Sequence, residues 1–396
     1  MEPIAILSGV RTAIGTFGGS LKDTPPSDLG AKVIAEAVRR AGLAPEDIEH
    51  VVMGQVIQTE PKDAYLARVA ALKAGVPVTS PALTLNRLCG SGVQSIVSAA
   101  QMIALGEVNV AAAGGAEVMS RSPHYVAAAR FGQKMGDVRM VDAMIEVLSD
   151  PLDGYHMGIT AENVARDHGI TREAQDRAAA ESHARAHRAQ QDGRFADQIL
   201  GIEVKAKGGT RVFDHDEHVK GETTVETLAG LRAAFQKDGT VTAGNASGIN
   251  DGAAAVILSS LAEAERRAIT PIARILGWGH TGVEPSHMGL GPIKAVPKAL
   301  ERAGLSLDQI DVIESNEAFA AQACAVSNAL GFDPDKVNPN GSGISLGHPV
   351  GATGTILVVK AIAELERTGS RYALVTMCIG GGQGIAMVLE REGAGN

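Results

Sequence analysis

Only three cysteines occur in 396 residues. No two are spaced Cys-x-x-Cys, which excludes a disulfide framework and a zinc site and suits a reducing compartment. Aromatic residues are scarce at 3%. The core must therefore rest on Ala, Val, Ile and Leu, with 47 glycines permitting close backbone approach. Basic charge is in deficit, 36 Lys and Arg against 45 Asp and Glu, a formal net charge of −9. That balance argues against nucleic acid, which needs a clustered basic face. A polyanionic ligand would need a local basic patch that overcomes the global field. Long apolar runs are missing too. The weakly charged stretch 90–106 is broken by Ser, Gln and Gly, so no membrane span is expected. The opening Pro3-Ile4-Ala5-Ile6-Leu7 gives way to Arg11, too short for a signal-peptide core, and a cytoplasmic location is expected.

What is present is length for two or three domains, and 45% hydrophobic residues against 20% charged, ample for a sizeable core. Arg40-Ala41-Gly42-Leu43 followed by Ile48 matches Arg302-Ala303-Gly304-Leu305 followed by Ile310, an offset of 303 − 41 = 262. The same offset pairs Gly92 with Gly354 (354 − 92 = 262), each at the start of an apolar helix that leads to a glycine-ended strand. Two matches in one order argue for two homologous halves. In the first half, Leu29, Val33, Ile34, Ala37 and Val38 predict a helix capped by Ser27. A strand over 51–57, a helix capped by Asp63 and running to Ala74, a short strand over 82–86 and a helix from Gly90 to Gly106 follow. Strands alternating with helices mean βαβ units, hence an α/β protein with two halves stacked as layers of helix and sheet. Residues 120–246 interrupt the pattern with a charged helix over 171–191 and a polar stretch over 205–226. They read as an inserted loop domain, after which 253–258 returns to strand and completes the first sheet. The expected division is 1–119 plus 247–270, the insert 120–246, and 271–396.

Four polar islands carry chemistry. Cys89 in Asn86-Arg87-Leu88-Cys89-Gly90-Ser91-Gly92 follows a short strand and begins a helix, where the dipole and free N–H groups favour a thiolate. A buried, inert thiol at a tight turn is the competing reading. Cys378 ends an apolar strand ahead of Gly380-Gly381-Gly382, a turn whose N–H groups could hold an oxyanion or could simply close the strand. Cys324 lies in an Ala-rich helix and reads as core. His348 is clamped between Gly347 and Pro349, and Asn316 ends a strand at the carboxyl edge, where it could hold a ligand or cap the next helix. Neither glycine run has the Gly-Lys-Ser/Thr of a P-loop. Two thiols, an imidazole and an amide suggest carbonyl chemistry through a thioester.

Together these islands resemble the thiolases, acetyl-CoA acetyltransferases and 3-ketoacyl-CoA thiolases, over essentially the whole chain. Val10-Arg11-Thr12-Ala13-Ile14-Gly15, Thr242-Ala243-Gly244-Asn245-Ala246-Ser247, Asn316-Glu317-Ala318-Phe319-Ala320, Gly347-His348-Pro349 and Cys378-Ile379-Gly380-Gly381-Gly382-Gln383-Gly384 all match family motifs. The likeness is strongest to bacterial biosynthetic β-ketothiolases that feed polyester storage. The resemblance implies a thiolase-like fold and reversible condensation of two acetyl-CoA, or of acetyl-CoA with a short acyl-CoA, to a 3-ketoacyl-CoA and CoA. Cys89 would be the acylated nucleophile and Cys378 the second acid/base. His348 would activate Cys89 and, with a water on Asn316, form one oxyanion hole; the N–H groups of Cys89 and Gly380 would form another. The loop domain would hold coenzyme A, with contacts from Leu148, His156, Met157, Lys220, Leu231, Phe235, Ala243 and Ser247, and Met288, Ala318 and Phe319 at the acyl end. CoA thioesters would be substrates, with no separate cofactor and no metal, and the assembly a homotetramer, a dimer of dimers. Two departures stand out. Lys220 replaces an Arg common in the family, exchanging a planar fork for a point charge, and Gly341-Ser342-Gly343-Ile344-Ser345 differs from the Gly-Gly-Ala-Ile-Ala of some short-chain members. Degradative thiolysis in fatty-acid oxidation, a decarboxylating synthase with Cys and two His, a non-catalytic acyl-CoA carrier and a Cys-His peptidase are the alternatives.

Overall fold

The computed structural model describes residues 3–393. Strands β1 (Ile4–Thr12), β2 (His50–Gly54), β3 (Ala82–Leu85), β4 (Val110–Val118) and β5 (Asn250–Ser260) lie in the order β3-β2-β4-β5-β1. Strands β6 (Ala273–Gly282), β7 (Val312–Ser315), β8 (Tyr372–Ile379) and β9 (Gln383–Arg391) lie in the order β7-β8-β9-β6. β2, β4, β5 and β1 correspond in order to β7, β8, β9 and β6, with the edge strand β3 outside the correspondence. β2 runs parallel to β4 as β7 does to β8, and the later pairs are antiparallel in both halves. The 262-residue offset recurs between strand starts, 312 − 50 and 372 − 110. The strands from Asn250 and Gln383 occupy equivalent places, so the segment after the insert does complete the first sheet. The two half-sheets are also joined edge to edge, which the sequence does not reveal: Ile4 of β1 pairs with Ile275 of β6.

Helices α1 (Pro26–Arg40), α2 (Leu66–Lys73), α3 (Ser91–Ala104), α4 (Met157–Asp167), α5 (Arg172–Gln191), α6 (Gly291–Ala303), α7 (Ala320–Leu330) and α8 (Thr353–Thr368) fill the layers. Val33 and Ala37 of α1 and Ala67 and Ala70 of α2 cover the outer face of the first half-sheet. Ile96 and Ala100 of α3 with Leu357 and Ala361 of α8 lie between the half-sheets, against Val52, Ala113, Val375 and Met377. Ala295 and Ala299 of α6 and Val326 of α7 cover the outer face of the second. The result is helix, sheet, helix, sheet, helix. β4 is buried along its whole length, as expected for a strand sandwiched on both faces.

Local signals misplace two caps. Ser27 lies inside α1 and makes no cap: Pro25 is the N-cap and Pro26 at the first helical position presets φ. Asp63 does not cap α2, which starts only at Leu66 after a 3₁₀ turn at Pro61–Tyr65. Its carboxylate instead accepts from the Thr59 amide (2.7 Å), the Thr59 hydroxyl (2.8 Å) and Gln55 Nε2 (3.0 Å). The strand over 51–57 stops at Gly54. In the insert, Thr171 does cap α5 through the Ala174 amide (3.2 Å), and part of the polar stretch folds as a hairpin of Ile202–Ala206 with Gly209–Phe213. Among the described residues, no helix is long and apolar enough to cross a membrane.

Candidate active site

Cys89 sits on a forced elbow. Leu88 adopts φ +46°, the left-handed region that a branched side chain rarely visits. Asn86 Oδ1 accepts from the Leu88 amide (2.8 Å), and Ser91 Oγ accepts from the Arg87 amide (2.8 Å) while donating to the Leu88 carbonyl (2.7 Å). The elbow aims Cys89 at the end of α3 where it meets the Cys378 loop. Gly90 makes the meeting possible, since a Cβ there would lie 2.5 Å from Ile379 Cδ1.

The expectation of a thiolate at Cys89 needs correction. Burial pushes the thiol up from its ordinary value, and the Glu117 carboxylate adds to that; the N–H groups of Gly380 and of Cys89 itself pull it down without prevailing. Cys89 therefore rests as a thiol and must hand its proton to a base. Cys378, one residue before the end of β8, is fully buried, and burial, followed by the nearness of the Cys89 sulfur, pushes its thiol up strongly. Such a thiol holds its proton at rest and, once it has given that proton up, is a strong base. Cys324 is only partly buried, on the wall of a groove beside α7 and not in a closed core as the sequence suggests, with its thiol pushed up to about 11 by burial.

His348 is placed to serve as that base. Its Nδ1 lies 2.7 Å from Thr353 Oγ1, and that hydroxyl donates its single proton to the Pro349 carbonyl (2.9 Å). The hydroxyl can then only accept from the ring, so the proton sits on Nδ1 and Nε2 carries a lone pair. Burial pulls the imidazole down to about 4, which keeps it neutral near pH 7. Asn316 Nδ2 approaches Nε2 at 3.5 Å, while Asn316 Oδ1 is buried with no protein partner among the described residues. The loop carrying His348 is fixed by Asn250, whose Oδ1 accepts from the His348 amide (2.9 Å). Gly347 takes φ +108° against that same side chain.

A small cavity of about 60 Å³ joins Cys89 and His348, while Asn316 lines a neighbouring pocket with Ser342, Gly343 and Thr353. Ten residues singled out from the sequence line it: Cys89, His348, Gly380, Leu148, His156, Met157, Ser247, Met288, Ala318 and Phe319. Val56, Leu88, Val147 and Val350 complete the wall and carry no sequence signal beyond being apolar. Cys378 packs just behind, in one cluster with Met157, Met288, Ala318 and Phe319. Phe235 stacks on His156 (centroids 4.6 Å apart) and meets Phe319 edge-on (6.1 Å). Ser247 is held by its amide on the Ala318 carbonyl (2.9 Å). Lys220, Leu231 and Ala243 stand apart from this cavity, exposed on the insert and the segment leaving it. Burial lowers His156, whose Nδ1 accepts from the Gly158 amide (3.0 Å) as the cap of α4.

Sequence reasoning missed Glu117, Thr353 and Asn250. Glu117, at the end of β4, is buried; its carboxylate accepts from the amides of Val56 (2.9 Å), Ile57 (3.1 Å) and Gly351 (3.0 Å). It thereby bolts together the two segments that supply Val56 and Val350 to the cavity wall. Burial pushes it up to about 8. A buried acid beside the turn after β2 had no local signature, because all three donors come from outside its own strand. Chemically, the arrangement offers a nucleophile with a neutral imidazole base, convergent N–H groups at Cys89 and Gly380, and a second sulfur of high proton affinity. It suits acyl transfer coupled to carbon acid chemistry.

Known proteins with this architecture agree. Residues 4–262 match the thiolase N-terminal domain and residues 269–391 the thiolase C-terminal domain. The chain is 60% identical to beta-ketothiolase BktB of Cupriavidus necator, over 98% of this chain and 99% of that one. It is 49% identical to an acetyl-CoA acetyltransferase of Chromobacterium violaceum, over 98% and 99%. Among solved structures, the acetyl-CoA acetyltransferase of Bacillus anthracis superposes with a TM-score of 0.96 at 46% identity, covering 99% of both chains. Human mitochondrial 3-ketoacyl-CoA thiolase in complex with CoA gives 0.96 at 43% identity, covering 98% of both. On its two matched domains and its full-length relatives, the chain belongs to the thiolase family.

Proposed function

We propose that the protein is a biosynthetic thiolase that condenses two acetyl-CoA, or acetyl-CoA with a short acyl-CoA, to a 3-ketoacyl-CoA and CoA. The observation that carries this is the pairing of a basic His348 Nε2 with Cys89 in one cavity, backed by a second, strongly basic sulfur at Cys378. Cys89 gives its proton to Nε2 and its sulfur attacks the thioester carbonyl, whose oxygen is met by the N–H groups of Cys89 and Gly380. The C–S bond to CoA breaks, and Cys378 protonates the departing thiolate. The resulting Cys378 thiolate takes an α-proton from a second acetyl-CoA. The enolate oxygen is stabilised by the His348–Asn316 pair, with a water bound to Asn316 Oδ1. The enolate carbon attacks acetyl-Cys89, the Cys89–acyl bond breaks, and the proton held by His348 returns to sulfur. Two acetyl-CoA give one acetoacetyl-CoA and one CoA, and the same groups serve thiolysis in reverse. A cavity of about 60 Å³ is far below the roughly 300 Å³ of ordinary ligand pockets, which favours short acyl groups over the long chains of degradative thiolysis.

Residues 120–246 are taken as the inserted domain for coenzyme A, with 1–119 plus 247–270 and 271–396 as the core halves. Lys220 would supply local positive charge to the CoA phosphates, and Leu231, Phe235 and Ala243 apolar contact; no separate cofactor is invoked. Phe131 (91% exposed) and Met135 (86%) lie in a segment that belongs to neither repeat, and this apolar surface, which subunit contacts would cover, supports a homotetramer; a cytoplasmic location goes with that reading. Light scattering that returned a 40.8 kDa monomer would exclude that assembly. The test of function is initial rates of thiolysis across 3-ketoacyl-CoA lengths beside condensation of acetyl-CoA; measurable thiolysis with no acetyl-CoA condensation would overturn the biosynthetic reading.

A further inference from the structure

Beyond the Asn316 turn lies a second, wider groove of about 510 Å³ between α5 and α7, walled in part by Ser182, Ser315, Glu317 and Asn338. The catalytic sequence uses none of these groups, yet they form a closed polar network around the residue that follows Asn316. Glu317 is buried, and its Oε2 accepts from Ser182 Oγ (2.6 Å) and the Ile344 amide (3.4 Å), its Oε1 from Asn338 Nδ2 (3.0 Å). Asn338, at φ +46°, mimics a strand partner for Ser315: its Oδ1 accepts from the Ser315 amide (2.9 Å) and its Nδ2 donates to the Ser315 carbonyl (2.8 Å). Ser342 Oγ donates to the same carbonyl (3.1 Å).

The two serines that depart from the short-chain thiolase pattern, Ser342 and Ser345, both join this network. Ser182 has one hydroxyl proton, and the short contact to a carboxylate claims it. Ser345 Oγ lies 2.8 Å from Ser182 Oγ and donates to the Ser342 carbonyl (3.3 Å), so Ser342, Ser345, Ser182 and Glu317 form one connected chain. The loop presses on the catalytic turn itself: a Cβ on Gly343 would lie 2.8 Å from Asn316 Oδ1 and 2.7 Å from the Glu317 carbonyl.

We propose that Glu317 is a positioning residue that locks the Asn316 turn opposite His348, through Ser182 of α5 and with Ser345 as an added link. The inserted segment and the enolate-stabilising amide are thereby held as one unit. This rests on the role of Asn316 given above. A side chain that merely held the fold together would, when altered, weaken every step alike. A residue acting through Asn316 touches only the step that uses Asn316.

The experiment uses full-length protein and acetyl-CoA, with two readouts: single-turnover acetylation of Cys89 by intact mass, and the steady-state condensation rate. Glu317→Gln should lower condensation about 10- to 100-fold while acetylation stays within about threefold. In an Asn316→Ala background, Glu317→Gln should add less than about twofold, because residues acting as a unit are not additive. Ser345→Ala, which removes one outer link and leaves Glu317 ionisable, should lower condensation about two- to fivefold with acetylation unchanged, and keeps the test alive if Glu317→Gln does not fold. Equal losses in both readouts, or a full Glu317→Gln effect without Asn316, would overturn the inference. If Asn316→Ala is slow and both Glu317→Gln and Ser345→Ala are normal, the inference alone falls. If Asn316→Ala condenses normally, the reading of Asn316 falls and takes the inference with it.

Discussion

Gly92 and Gly354, 262 positions apart in the chain, touch where α3 and α8 cross. A Cβ on Gly92 would lie 2.5 Å from the Thr355 amide nitrogen, and one on Gly354 would strike the Val93 backbone. The internal repeat thus contains its own contact: equivalent residues of the two halves meet at a pseudo-twofold crossing. α3 begins just after Cys89 and α8 soon after His348, so the crossing sets the distance between these two residues.

Gly92→Ala and Gly354→Ala should each destabilise the protein by about 1–3 kcal/mol through overpacking against backbone that cannot swing away, and should lower activity even where folding survives. Thermal denaturation and single-turnover acetylation check both. A variant with wild-type melting temperature and acetylation rate would mean that the helices tolerate separation.

The site was legible to the extent that its chemistry sits at element ends with unusual neighbours. Cys89, Asn316, His348 and Cys378 each announce themselves beside Gly, Pro or a strand terminus, and the repeat is readable from a four-residue match. The supporting acids and hydroxyls are silent. Glu117 acts on Gly351 across 234 positions and Asn250 on His348 across 98, distances over which no local pattern operates. Short-range rules also fail where a competing local feature wins. Proline, not Ser27, sets the start of α1. At Cys89, the helix-start argument for a thiolate is outweighed by burial and by Glu117.

Lys220 is exposed and its backbone amide donates to His183 Nδ1 (3.2 Å), which ties the strap carrying it to α5. Lys220→Ala should raise KM for acetyl-CoA about three- to tenfold with little change in kcat, the mark of uniform binding. Added salt should erase much of the difference, because an exposed charge is screened. An unchanged KM at low ionic strength would remove Lys220 from the CoA site.

His348 must be neutral to accept the Cys89 proton. Its folded value is pulled from 6.5 down to about 4 by burial. The basic form therefore persists as pH falls, and its share of stability, present above about 6.5, is lost between there and about 4. The acid limb of kcat/KM should accordingly bend near pH 4 and not near 6.5. Rates measured directly after a pH jump, before any acid unfolding, report this limb. An inflection at 6.5 would place a solvated imidazole in the free enzyme.

The two sulfurs should separate cleanly by mutation. Cys89→Ala removes the acyl acceptor, so neither half-reaction can run. Cys378→Ala leaves Cys89, His348 and both N–H donors in place, but removes the group that protonates departing CoA and then collects the α-proton. Its first role has a substitute, since CoA thiolate can leave unprotonated into water. Its second has none within the buried cluster of Met157, Met288, Ala318 and Phe319. Cys378→Ala should therefore still be acetylated at Cys89, more slowly than wild type, and then stall, with condensation down at least about 10²–10⁴-fold, the usual worth of a general base. Intact mass after exposure to acetyl-CoA reads the outcome: one acetyl added to Cys378→Ala and none to Cys89→Ala. The reverse pattern would exchange nucleophile and base. Rapid condensation by Cys378→Ala would end the two-sulfur mechanism, and would turn attention to another base at the site, the lone pair on His348 Nε2.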